Sequence, residues 1–161
     1  GEVMGHASSF GHAFAKAELG ANQRIPTGGG ALLTVNDFDK GAIGRIARDL
    51  AKMGFTLYAT RGTAAWLHQL GLTAEVVNKV SEGSPHTVDL LTSGKVGLVI
   101  STPLGSRAYA DGQALRSAAI RYNVVLVTTL TGAAATVSAI KALRQKALRV
   151  RSLQEHHHMN G

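Results

Sequence analysis

Five short apolar runs, separated by segments of helical periodicity and punctuated by glycine, predict an α/β fold: a three-layer arrangement in which a five-stranded parallel sheet is flanked by helices. Three observations carry this expectation. The runs are only about five residues long and almost uniformly apolar, as strands covered on both faces must be. The segments between them repeat apolar residues at i, i+3 and i+4. The chain is 45% hydrophobic but only 5% aromatic, with many Ala, Val, Leu and Gly, a composition that lets helices approach a sheet closely.

Within residues 1–19, Phe10, Ala13, Phe14 and Ala17 recur at helical spacing. Residues 21–30 are rich in Gly, Pro and polar residues and read as a linker. The first strand follows at 31–35. A stripe of Ile43, Ile46, Ala47, Leu50 and Ala51 then marks a helix closed by Gly54, the residue type that ends helices in the left-handed conformation. The alternation continues: strand 55–59, helix 63–70 stopped by Gly71, strand 74–77, a short helix over 86–91 and a strong strand at 96–100. A helix over 110–122, a strand at 124–127 and a helix over 133–143 complete it. Residues 148–150 give a faint signal for a closing strand.

At 161 residues the chain suits one domain with a core of its own. No cysteine is present, which excludes disulfides, thiolate catalysis and cysteine-ligated metal. No apolar run approaches the roughly 20 residues of a membrane span, and no secretory pattern opens the chain, so a cytoplasmic protein is expected. The net charge of +7 raises nucleic-acid binding. However, Arg116, Arg121, Lys141, Arg144, Lys146, Arg149 and Arg151 are scattered, with no aromatic residues between them to stack on bases. They read as solvated helix surface.

In an open α/β sheet, ligands sit at the carboxyl ends of the strands. There this sequence places Thr34, Asn36, Asp37, Asp39 and Lys40; Thr60, Arg61, Gly62 and Thr63; Asn78, Lys79, Glu82 and His86; Ser101, Thr102 and Pro103; and Thr128, Thr129 and Thr131. The densest group is Thr60-Arg61-Gly62-Thr63, where a strand turns into a helix. Two hydroxyls and the free amides of a helix N-terminus suit a phosphate-sized anion. Arg61 reads as a rim charge, His86 as a helix-start residue, and Trp66 and Phe55 as core. No catalytic group and no metal site are expected, and His156-His157-His158 look like a tag-like tail.

The segments Leu32-Leu33-Thr34-Val35, Tyr58-Ala59-Thr60-Arg61-Gly62-Thr63-Ala64, Val77-Asn78-Lys79-Val80-Ser81-Glu82-Gly83 and Ile100-Ser101-Thr102-Pro103 resemble the C-terminal allosteric domain of the carbamoyl-phosphate synthetase large subunit, a methylglyoxal-synthase-like, Rossmann-like domain. Gly1 to Gly5 with Ala13 to Ala17 resemble the end of the preceding carbamoyl-phosphate-forming domain, and Ser152-Leu153-Gln154-Glu155 the subunit's last residues. The expected divisions are therefore 1–25 as domain tail and linker, 26–155 as the regulatory domain and 156–161 as a tail.

The resemblance implies a regulatory role: binding of UMP or IMP as effector, with no cofactor in this chain itself. The parent enzyme is implied to use ATP with Mg or Mn, and bicarbonate and glutamine-derived ammonia, to make carbamoyl phosphate for pyrimidine and arginine biosynthesis. Implied partners are the rest of the large subunit, the small glutaminase subunit and, through self-association, further copies of the domain; neither nucleic acid nor membrane is implied. Thr34, Lys40, Thr60, Thr63 and Lys79 are implied to hold the effector phosphate. Ser101, Thr102, Asp111, Ala114 and Leu115 are implied to line ribose and base, and Thr128 to meet ornithine. Ser84 departs from the usual arginine and Ser101 from the usual asparagine. The rival on the same fold is a methylglyoxal synthase-type lyase acting on dihydroxyacetone phosphate. That chemistry needs a carboxylate base, and Ser101-Thr102-Pro103-Leu104 supplies none; Asp89 and Asp111 are expected on a helix surface and at the ribose.

Overall fold

A computed structural model describes residues 24–159. The helix expected within residues 1–19 lies outside the described residues. Two compact units emerge.

The first unit, Gly28–Ala134, is built on five parallel strands in the order β3-β2-β1-β4-β5. They are β1 (Gly30–Val35), β2 (Thr56–Thr60), β3 (Glu75–Val77), β4 (Val96–Thr102) and β5 (Val125–Val127). Between them run α1 (Lys40–Lys52), α2 (Arg61–Gln69), a 3-10 turn (Val80–Glu82), α3 (Thr87–Thr92) and α4 (Ser106–Arg121). The chain moves outward from β1 to β3, returns to β4 and continues to β5. Right-handed crossovers therefore put α1 and α2 on one face and α3 and α4 on the other. The helices pack in those pairs.

The strands β1, β2, β4 and β5 are apolar because they are largely buried, whereas the edge strand β3 is mostly exposed. Leu32, Tyr58 and Val99 lie side by side in the register and pack with Leu91, Leu115 and Ala118 of α3 and α4. Their strand neighbours, among them Leu33, Ala59, Leu98 and Ile100, alternate to the other face and are fully buried. Truncating such a leucine to alanine typically costs about 2–5 kcal/mol. Helix α1 ends as its sequence requires. Gly54 takes φ +87 and donates to Ala51 O at 3.0 Å, while Phe55 N donates to Leu50 O at 3.1 Å. That paired closure satisfies two terminal carbonyls and delivers the chain straight into β2. Gly71 closes α2 in the same way.

In the second unit, the described residues are 24–27 and those from Ala135 onward. Here Arg144 Nη1 donates to Thr27 O at 2.7 Å. The helix α5 (Leu130–Met159) begins in the first unit, where Thr129 Oγ1 accepts from Gly132 N at 3.0 Å, and runs on without a break. This corrects the closing strand read at 148–150. Leu148 and Val150 are exposed on a helix, and the Ala-, Leu-, Lys-, Arg- and Gln-rich stretch around them favours helix strongly. His156, His157 and His158 occupy its last turn.

Candidate functional site

The connections from β1 and β4, neighbours in the sheet, leave toward opposite edges. That divergence opens a crevice at their carboxyl ends. A cavity of about 330 Å³ lies there, within the range of small-ligand sites. Nine of the eleven residues to which the resemblance gave a ligand role line it: Thr34, Lys40, Thr60, Thr63, Lys79, Ser101, Thr102, Asp111 and Leu115. Ala114 and Thr128 do not. Ala114 sits half-buried on α4, and Thr128 is exposed just beyond β5. The lining also includes Asn36, Asp37, Phe38, Gly62, Thr87, Pro103, Leu104, Ala108 and Gly112. Of these, the strand-end rule had already pointed to Asn36, Asp37, Gly62 and Pro103. Thr87, Ala108 and Gly112 carry no signal in sequence, because helix phase alone turns them inward.

The cavity floor is a set of hydroxyls on adjacent strand ends. Thr60 Oγ1 donates to Thr34 Oγ1 at 3.0 Å, which leaves the Thr34 proton to donate elsewhere. Thr60 is also the N-cap residue of α2, but its side chain makes no capping bond. The amides opening α2 therefore keep their donor capacity beside the cavity. Thr63 plays a structural part: its Oγ1 accepts from Val35 N at 3.1 Å and points its proton at Val35 O, 3.4 Å away. That pair fastens the first turn of α2 to the end of β1.

Two lysines supply the charge. Lys40 opens α1 but reaches across to α2, so close that a Cβ on Gly62 would stand 3.2 Å from its Nζ. An ammonium at the positive pole of a helix is electrostatically unfavourable alone and calls for an anion. Asp37 provides one in part, forming an ion pair with Lys40. The hydrogen bond and charge of Lys40, aided by the charge of Lys79, hold the Asp37 carboxyl below its ordinary value despite some desolvation. Lys79 precedes the 3-10 turn, and its backbone N–H donates to Glu82 Oε2 at 2.8 Å.

The remaining polar groups brace the loops. Asn36 N donates to Thr102 O at 3.2 Å, and Asn36 Nδ2 to Thr102 O at 3.0 Å and to Asp39 Oδ2 at 2.8 Å. These bonds tie the β1 exit to the β4 exit. Asp111 accepts from Ser81 N at 3.0 Å and from Ser81 Oγ at 2.9 Å, which docks the lysine-bearing turn on α4. Both carboxylates in the lining are thus committed to other partners: Asp37 to Lys40, Asp111 to Ser81. His86 caps α3, with Nδ1 accepting from Asp89 N at 3.3 Å. Phe55 is buried in the core, as expected, whereas Trp66, also expected there, is only half-buried. Among the described residues, no group of three or more His, Asp or Glu could hold a metal ion. None of their helices is long and apolar enough to cross a membrane.

The parallel sheet, the paired helices and the crevice define the class: a three-layer α/β domain with its cavity at the point where the strand order reverses. More particularly, the chain belongs to the MGS-like domain family, which it matches over residues 42–128, just over half its length. It is 46% identical over 158 residues to the C-terminal section of the carbamoyl phosphate synthase large chain of Methanopyrus kandleri, covering 98% of this chain and 29% of that protein. It is 42% identical to the corresponding section from Aquifex aeolicus, covering 96% and 30%. Against the large chain of Nostoc sp. the identity is 42%, covering 97% and 14%. The chain thus spans less than a third of the length of each of these relatives. In fold it is similar to methylglyoxal synthase from Elizabethkingia anophelis, with a TM-score of 0.58 at 18% identity over 71% of this chain and 80% of that one.

Proposed function

We propose that this chain is the effector-binding regulatory domain of a carbamoyl phosphate synthase large chain, and that its cavity holds a nucleoside monophosphate, UMP or IMP. The observation that carries the reading is the placement of the Lys40 ammonium against the amide end of α2, above the Thr34–Thr60 floor. A phosphate monoester carries close to two negative charges at pH 7. Between Lys40 and Lys79 it gains charge-assisted bonds, while Thr34, Thr60 and the α2 amides fix its orientation. Ser101, Thr102 and Leu115 then face the ribose and base. Asp111 reaches the ligand only by loosening its hold on Ser81.

In this reading the domain controls a cytoplasmic ligase. Distant sites use ATP with Mg or Mn to make carbamoyl phosphate for pyrimidine and arginine biosynthesis, with ammonia from the small glutaminase subunit. Control is a population shift: the nucleotide binds one arrangement of the loops better, and that preference biases contacts with the rest of the large subunit. Thr128, which is exposed beyond β5, would in this reading meet ornithine at such a junction.

Calorimetric titration with UMP and IMP tests the reading. Binding of at least one is expected, weakened roughly tenfold to a hundredfold by Lys79→Ala, the value of a charge-assisted hydrogen bond. Absence of binding to either nucleotide would overturn it. Release of methylglyoxal from dihydroxyacetone phosphate would favour the lyase instead, against the commitment of both lining carboxylates to other partners.

A further inference from the structure

We propose that Phe38 is a specificity-determining residue: its ring, with Pro103 and Leu104, forms an apolar lip that receives the planar base of a ligand whose phosphate rests on the cavity floor. The inference rests on the nucleotide reading and adds what selects the ring. Phe38 lines the cavity yet is 86% exposed, and Leu104, also in the lining, is 59% exposed. The first lies in the loop leaving β1, the second in the loop leaving β4. These strands pair up to Val35↔Thr102, so the two loops rise from adjacent strand ends on either side of the crevice.

The cavity therefore has a gradient. Its base carries hydroxyls and ammonium groups, and its mouth carries hydrocarbon. A free phosphate fills only part of about 330 Å³ and leaves the mouth wet. An aromatic ring continuing outward from the phosphate would remove the exposed face of Phe38 from water, and stacking of bases on aromatic side chains is favourable for any base. Such a lip is indifferent to hydrogen-bonding pattern, so it admits pyrimidine and purine alike and favours the larger ring. It rejects sugar phosphates and triose phosphates, which have nothing to stack.

The test is calorimetry of wild type and Phe38→Ala with UMP, IMP and ribose 5-phosphate. At 86% exposure the side chain has little part in folding, so the variant reports on binding. Wild type is expected to prefer the nucleotides over ribose 5-phosphate. In Phe38→Ala, UMP should bind about tenfold more weakly (about 1.4 kcal/mol) and IMP more weakly still. Ribose 5-phosphate should be unchanged, and Phe38→Trp should restore the preference. If wild type binds ribose 5-phosphate as tightly as UMP, the lip has no role while the phosphate site stands. An equal loss for all three ligands would assign Phe38 to loop structure and overturn the inference. So would unchanged UMP binding accompanied by loss of self-association. Binding of none of the three would remove the nucleotide reading and the lip with it.

Discussion

Lys40 answers to two neighbours of opposite sign: the Asp37 carboxylate that pairs with it and the amide end of α2 at Gly62 that repels it. A ligand phosphate that joins Lys40 must compete with Asp37 for the same ammonium. An exposed ion pair is weak, so Asp37→Asn is expected to tighten UMP binding only modestly, about twofold to fivefold, by calorimetry. Weaker binding would mean instead that Asp37 steers Lys40 into place. The ligand titrates as well: UMP affinity should fall as pH drops below about 6, where the phosphate takes up a proton. Outside the cavity, Ser84 Oγ and His86 N donate to Asp89 Oδ2 at 2.6 and 2.9 Å and, in that order, hold its carboxyl below the ordinary 3.8. A folded value below the unfolded one stabilises above about pH 3.8, and the contribution is lost as pH falls from there through the folded value. An NMR titration of Ser84→Ala should find the Asp89 midpoint moved up toward 3.8.

Among the elements, the helix closures carry the sharpest consequence. Gly54 at φ +87 opens to free space, so Gly54→Ala meets no clash and suffers only the left-handed backbone penalty. A loss of about 1–2 kcal/mol in urea unfolding is expected. The central strands were readable from sequence because burial leaves a nearly unbroken apolar run, and α1 because its buried residues keep a regular stripe; the edge strand β3 was readable from Val76 and Val77 although it is mostly exposed. The α4 start was missed by four residues, since Ser106, Arg107 and Tyr109 are exposed and the apolar stripe begins later. The α5 extension was missed because exposed Leu148 and Val150 look like a strand fragment out of context. The same logic governs the cavity. Threonines and lysines at strand ends could be listed from sequence, since the strand ends fix their position. Phe38 and Leu104 could not, because the paths of two loops bring them to one rim.

For the molecule as a whole, ligand binding and stability are linked. A nucleotide that binds only the folded chain, present at a hundred times its Kd, adds about 2.7 kcal/mol. For a chain of this size that corresponds to a rise in Tm of roughly 5–10 °C, measurable by scanning calorimetry. The bond between Ser81 and Asp111 gives such binding somewhere to go. A displacement of Lys79 would pass through the 3-10 turn that follows it to α4, to which Ser81 is bonded. The lysine is thus the handle of a crank and α4 its shaft. Cutting the linkage with Asp111→Ala should let ligand still be gripped while amide exchange along α4 no longer slows in response.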